Sequence, residues 1–495
     1  MADAVVLALD EGTSSCRTVA VDADGRIVAS HQREFTQHFP RPGWVEHDPE
    51  ELWQAQLATL RSTLADCGGR EIAGIGITNQ RETAVVWERA SGRPIANAIV
   101  WQDRRTAESM AAMERDGLGE EVAARTGLRL DPYFSATKLA WILDQVPGAM
   151  GRAQRGELAA GTIDTWLAWN LTAGRVHATD VSNASRTMVM NLATQEWDPW
   201  LLERFRIPRE ILPVIVNSSG VVGETDRGLL GRSIPIAGIG GDQQCALFGQ
   251  GCHRAGMLKT TYGTGCFLLR HAGTTPPPPA GGLLRTVAWR IGSTTTFALE
   301  GSVFMGGAAI QWLRDGLGII KKASDVNALA ASVADPGGVV FVPAMTGLGA
   351  PHWDPNARGT LVGMTRGTTA AHIARATLEG IAMQVVDVVE AMGPRSKEAV
   401  MRVDGGACAS DLLMQMQADL LGERIERPEV LETTAMGAAF LAGLAVGVWR
   451  SQDDVGALRK VNRVFDPAMD ESTRRRLRER WARAVERARG WERAE

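Results

Sequence analysis

Val5-Val6-Leu7-Ala8-Leu9-Asp10-Glu11-Gly12-Thr13-Ser14-Ser15-Cys16-Arg17 is an apolar run that ends on acids and breaks into a turn of glycine and small hydroxyl residues. Val5 to Asp10 reads as a buried strand, and Arg17 to Asp22 as a second one after the Gly-Thr-Ser-Ser turn. Asp24-Gly25 is a strong hairpin signal and leads into a third strand, Arg26 to Ser30. The chain therefore begins as a β-meander. A similar plan recurs later: Pro235 to Asp242 is a strand ending in glycines and an acid, and Gln243 to Gln250 reads as a helix. Gly256 to Leu269 then gives two short strands around Gly263-Thr264-Gly265. This repetition predicts a duplicated α/β domain facing itself across a cleft, divided near residue 250 into halves 1–250 and 251–495.

The remaining chain suits that plan. It has 495 residues, 45% hydrophobic, enough for two large domains with cores of their own. Strands and helices alternate, as in the helical run Glu50 to Ala65 before the strand Ile72 to Thr78. Pro276 to Pro279 reads as a stiff surface connector. Near the end, Leu477, Trp481, Ala484, Ala488 and Trp491 recur at helical spacing among arginines. Glu479, Glu486, Glu492 and Glu495 interrupt the positive charge, so a docked helix is expected there rather than a nucleic-acid surface.

The formal net charge is −4, which gives no reason to expect nucleic acid or a membrane surface as partner. No apolar run approaches the length of a membrane span, and Met1-Ala2-Asp3 has neither a basic region nor a cleavage site. The six cysteines are scattered and expected to be reduced; a cytoplasmic protein is expected.

The sequence contains no Gly-Lys-Ser/Thr, no G-x-G-x-x-G opening a helix, no G-x-S-x-G and no paired Cys/His pattern. What is left is phosphate binding by tight glycine turns, whose amides and hydroxyls point at anionic oxygens. Gly12-Thr13-Ser14-Ser15 with Arg17 has that composition, and so does Gly263-Thr264-Gly265. Either hairpin alone also reads as an ordinary β-turn; one in each half favours a clamp. Asp10, at the strand end, is placed to hold Mg2+ through water. Arg402 to Asp411, with Gly405-Gly406 between strand and helix, could accept a flat adenine or ribose against backbone.

Together, residues 9–17, 238–251, 263–267, 403–410 and 435–445 resemble the five segments of the actin/Hsp70/sugar-kinase ATPase fold. Residues 133–145 (YFSATKLAWILDQ) and 359–379 (GTLVGMTRGTTAAHIARATLE) are similar to the signature patterns of the FGGY carbohydrate kinases. The resemblance extends over essentially the whole chain, through residues 42–49, 76–83, 97–106 and 341–355, and is strongest to members that phosphorylate glycerol. It implies two actin-like (ribonuclease H-like) ATPase domains, ATP and Mg2+ as cofactors, glycerol as substrate and a homo-oligomer. By position it implies that Arg81, Glu82, Trp101, Tyr133, Asp242, Gln243 and Phe267 surround glycerol. Thr13, Ser14, Ser15, Arg17, Thr264, Gly307, Gln311, Gly406 and Ser410 match positions around ATP, and Asp10 and Asp242 the metal side. Asp242 is the implied general base, although an acid there also reads as a helix N-cap.

The Arg81-Glu82 pair speaks for glycerol, since pentulose kinases resemble one another by a Met-His pair at that place. A ketose or tetritol kinase of the same family, or a non-catalytic ATPase scaffold, are the competing readings. Three positions depart from the pattern: Glu11 replaces the usual Gln, Ser410 replaces the usual Asn, and Asp226 to Arg232 lacks the glycine/lysine loop of members that bind fructose 1,6-bisphosphate.

Overall fold

The computed structural model describes residues 4–279, 281–395 and 399–492; Met1 to Asp3 and Glu495, read above, lie outside them. The opening meander forms as expected: β1 (Ala4–Glu11), β2 (Ser15–Asp22) and β3 (Ile27–Glu34) are successive antiparallel neighbours. β4 (Glu71–Asn79) lies parallel to β1, and β5 (Pro235–Gly241) parallel to β4. The second half repeats this layout. β6 (Leu258–Tyr262), β7 (Cys266–Gly273) and β8 (Thr294–Val303) are antiparallel neighbours, β9 (Val400–Asp404) lies parallel to β6, and β10 (Arg424–Pro428) parallel to β9. Both sheets thus run third-second-first-fourth-fifth by strand, the duplication anticipated from the two turns. Strands Ser219–Glu224 and Leu284–Ile291 bridge them edge to edge into one thirteen-stranded sheet.

Seven helices matter for the site and its support: α1 (Pro49–Asp66), α2 (Asp242–Gly249), α3 (Gly307–Asp315), α4 (Ala370–Ala391), α5 (Asp411–Leu421), α6 (Thr433–Ala445) and α7 (Glu471–Ala488). α1 starts where Asp48 accepts from the Glu50 amide at 2.9 Å and Pro49 fixes the first turn. α6, Thr-Thr-Ala-Met-Gly-Ala-Ala-Phe-Leu-Ala-Gly-Leu-Ala, is apolar on every side and accordingly buried. It follows β10 of the second sheet yet packs on β1, β4 and β5 of the first, while α2 follows β5 and packs on β6 and β7. Each half therefore lends a helix to the other half's sheet.

The two helices meet at glycines. A Cβ on Gly249 would come within 2.0 Å of the Thr433 carbonyl, and one on Gly437 within 1.9 Å of the Cys245 carbonyl. Only bare backbone permits that approach. The halves also share a core through Leu284, Val287 and Phe297, which pack with Met110, Phe134 and Leu139.

The tail helix docks as expected, with Trp481, Ala484 and Ala488 buried. Trp491 does not belong to that stripe. The helix ends at Ala488, and the indole beyond it is 66% exposed.

Candidate active site

β4 ends at Asn79, and the Gln80 amide donates to the Glu11 carbonyl at 2.7 Å, so the segment after it is tied to the end of β1. Along a strand, neighbouring side chains would face opposite ways. Here Glu82 sits at φ 63°, a left-handed conformation uncommon outside glycine, and Thr83 N donates back to the Arg81 carbonyl at 2.8 Å. The bend brings Arg81 Nε within 3.9 Å of Glu82 Oε1, with both side chains buried; this buried layer is the floor of the candidate site. Such strain, of about 1–3 kcal/mol, persists where the surroundings impose it and gathers at functional sites.

Arg81 is the hub of the floor. Its Nη1 and Nη2 donate to the two Glu300 oxygens at 2.6 and 2.9 Å, Nη2 also to the Tyr133 hydroxyl at 3.4 Å, and Nε lies 3.1 Å from Asp242 Oδ1. Arg186 closes the cluster, donating from Nε to Glu82 at 2.7 Å and facing Glu300 Oε1 at 3.2 Å. Arg81, Arg186, Glu82 and Glu300 are all at most 2% exposed by side chain, while Asp242 is 32% exposed. Burial would raise Glu300, but Arg186 and Arg81 outweigh it and hold its carboxyl below the ordinary range. At Glu82 burial wins over Arg81 and Arg186, and its carboxyl is raised. The cluster contains one firmly ionised acid and a weaker one.

Asp242 is the first residue of α2 rather than its cap; Gly241 is the N-cap. Its Oδ1 accepts from the Gln243 amide at 2.7 Å and its Oδ2 from Gln243 Nε2 at 3.2 Å. The Gln243 side chain is itself oriented by Lys259, which donates to its Oε1 and, at 2.8 Å, to Thr261 Oγ1. Burial pushes Lys259 down to about 8 against the pull of Asp404 and Asp242. Trp101 stands across from these groups with its ring edge-on to Tyr133 (5.6 Å) and Phe267 (6.2 Å). Its indole N–H donates to Thr13 Oγ1 at 2.9 Å, which ties the opening hairpin to the same hollow.

The hairpin positions fall around it. Arg17, opposite Asp10 in the register, pairs with Glu432 at 3.2 Å and donates to Gln32 at 2.7 Å; Ser15 Oγ accepts from Gln32 Nε2 at 2.9 Å, and Ser14 is exposed. Asp10 is partly buried, and that burial pushes it up to about 7 against Arg17, with the carboxylates of Asp242 and Glu432 pushing the same way. In the second half, Thr264 is exposed at the tip of its hairpin, and its carbonyl accepts from the Gly306 and Ala308 amides at 2.8 and 3.1 Å. That stitches the turn to the start of α3, where Gly307 lies, with Gln311 exposed one turn on. Gly405 (φ 86°) lets the chain pass over Tyr262, and nothing lies within 4 Å of a Cβ built on Gly406. Ser410, by contrast, is taken up locally: its hydroxyl caps α5 by accepting from the Leu413 amide at 3.1 Å and donates to Asn327.

Arg186, Glu300 and Lys259 were not singled out in the sequence. Glu300 did leave a signal, a lone charge inside the apolar strand Phe297-Ala298-Leu299-Glu300-Gly301. Among the described residues no group of three or more His, Cys, Asp or Glu side chains could hold a metal ion by itself, and no helix is long and apolar enough to cross a membrane.

The chain is similar to known proteins along nearly its whole length. Residues 5–249 match the N-terminal domain, and residues 258–446 the C-terminal domain, of the FGGY family of carbohydrate kinases. A glycerol kinase of Aromatoleum aromaticum is 56% identical over 493 residues, covering 98% of this chain and 99% of that one. One of Bordetella parapertussis is 57% identical over 500 residues, covering 99% and 98%. Among solved structures, Plasmodium falciparum glycerol kinase with ADP superposes with a TM-score of 0.92 at 35% identity, covering 98% of both chains. Xylulose kinase from Lactobacillus acidophilus, at 24% identity and a TM-score of 0.88, shares the fold. With both family domains matched and relatives at this identity end to end, the chain belongs to the FGGY family of carbohydrate kinases.

Proposed function

We propose that the chain transfers the γ-phosphoryl group of ATP to a terminal hydroxyl of glycerol, giving sn-glycerol 3-phosphate, with Asp242 as general base. The observation that carries this is the Arg81–Asp242 contact at 3.1 Å on a floor that also holds Glu82, beneath the Trp101, Tyr133 and Phe267 rings. A small triol needs both donors and acceptors fixed in place, and a wrong substrate that leaves one unpaired loses about 1–3 kcal/mol. Arg81 and Gln243 offer donors, Glu82 and Asp242 acceptors, and the rings line the carbon edge. The glycerol kinases of Aromatoleum and Bordetella support the choice of glycerol over other polyols.

Asp242 is the one acid of the floor with appreciable exposure, so it is the group a substrate hydroxyl reaches first. It takes the proton as the hydroxyl oxygen attacks phosphorus in line, and Gln243 keeps the carboxylate turned toward that oxygen. Thr13, Ser14, Ser15 and Arg17 from one hairpin and Thr264 from the other receive the phosphates. Gly307, Gln311, Gly406 and Ser410 flank the nucleoside, with the open face at Gly406 against its ring. Positioning and electrostatics provide most of the acceleration in phosphoryl transfer. Mg2+ would be held beside Asp10 and Asp242: burial is the main force that raises the Asp10 carboxyl, the Asp242 and Glu432 carboxylates add to it, and magnesium takes few protein carboxylates. When bound it supplies positive charge to the phosphate oxygens. A homo-oligomer in the cytoplasm completes the proposal, the first part open to sedimentation analysis.

The test is ATP-dependent release of glycerol 3-phosphate by the purified protein, read by a coupled dehydrogenase. Glycerol should exceed xylulose by about 100-fold or more in kcat/KM, as when paired polar groups are left without partners; the reverse preference would overturn the choice. Asp242→Asn should lower kcat by about 100- to 10,000-fold, the range of a positioned general base, and leave ADP affinity intact.

A further inference from the structure

Glu300 enters the cleft floor from the second half. It sits on β8, opposite Leu269 of β7, and its carboxylate reaches Arg81 at the end of β4 in the first half. The pair is a two-pronged one, Nη1 to Oε2 and Nη2 to Oε1, the geometry for which a guanidinium fork is best suited. It uses the fork and leaves only Nε directed at Asp242. Arg81 and Arg186 both face Glu300 and Glu82 on the floor. Asp242 meets this cluster through Arg81 Nε alone.

We propose that Glu300 is a positioning residue that holds the Arg81 fork on itself, so that only Nε, and not the fork, meets the base and Arg81 stays in place for the glycerol hydroxyls. Without a carboxylate at position 300, the nearest acids for a buried fork are Glu82, already held by Arg186, and Asp242. Arg81 then turns onto Asp242 in a closed pair, which occupies both the base and the donor at once. The proposal deepens the glycerol-kinase reading and rests on it for the roles of Arg81 and Asp242.

The experiment compares the full-length parent with Glu300→Gln and Glu300→Asp. Glu300→Gln keeps the shape and removes the charge; kcat is expected to fall about 100-fold, the usual loss when a reacting group is displaced by an ångström. KM for glycerol should rise about tenfold or more, as it does when a charged contact is lost, while KM for ATP and ADP affinity stay within about threefold. Glu300→Asp, which restores the charge on an arm too short to hold both prongs, should recover about tenfold of the lost kcat and stay about tenfold below the parent. A general structural defect would lower activity and nucleotide binding together and would not depend on charge. Parental kcat in Glu300→Gln, or no recovery in Glu300→Asp, overturns the proposal. If Glu300→Gln gives no folded protein, Glu300→Asp decides alone: about a tenfold loss in kcat with ADP affinity kept supports the role, and parental kinetics refute it. All ratios are taken with whichever polyol the parent prefers, so an error in the choice of glycerol shows in the parent and not in the ratio.

Discussion

Glu11 shows how much one neighbouring position changes the meaning of an acid. Asp10 lies on the face of β1 that carries Val6 and Ala8, toward α6 and the cleft; Glu11 lies on the opposite face with Val5, Leu7 and Leu9, in the outer core. It is fully buried, and neither carboxyl oxygen has a hydrogen-bond partner. Burial, reinforced by Asp10, raises its carboxyl well above the usual range, so the folded state keeps a proton that the unfolded chain releases near the ordinary value. A raised carboxyl of this kind makes folding less favourable as pH climbs from the unfolded toward the folded titration point. Glu11→Gln removes the proton and is close in shape. In that window the parent should lose up to about 1.4 kcal/mol per pH unit relative to the variant. Thermal unfolding at a series of pH values reads this directly, and a difference that stays flat with pH would show that Glu11 is not held protonated.

At the scale of elements, the crossing of α2 and α6 makes a sign test. In an exposed helix, replacing glycine by alanine stabilises by about 1 kcal/mol. Gly437→Ala instead drives a methyl into the Cys245 carbonyl, and the helices must part, so a loss of about 1–3 kcal/mol or more is expected in urea unfolding. Stabilisation would mean that the two helices have slack. The same helices show what sequence reading reached. β1, β2, α1 and α2 were found because strand and helix periodicity and punctuation by glycine are local properties, whereas the α6 stretch was legible only as a segment, 435–445, of a family pattern. The substrate and phosphate positions were legible as residues, through resemblance to a family pattern. What joins Arg81 to Glu300, 219 residues apart, or Lys259 to Gln243 depends on how the two sheets meet and leaves no local trace beyond one charge in an apolar strand. Trp491 erred in the other direction: its spacing fitted the stripe of α7, but the helix stops at Ala488, and spacing alone does not tell where a helix ends.

For the molecule as a whole, the exchange of α2 and α6 sets cooperativity. Two domains with separate cores would unfold in separate steps. Here each sheet is covered by a helix from the other half, and Leu284, Val287 and Phe297 share a core with Phe134 and Leu139. Calorimetry should therefore give one transition, and a fragment of residues 1–250 should not fold by itself; two resolved transitions would contradict the interlock. The order of synthesis adds a last consequence. The first sheet is complete once Gly241 has left the ribosome, yet the helix that covers its inner face ends only at Ala445. At roughly 5–20 residues per second, the intervening stretch of about 200 residues takes about 10–40 s to make. During that time Val6, Ala8 and Ala237, beside Gly76 and Gly238 whose backbone will later meet α6, face solvent, a nascent surface on which a chaperone would find its binding site.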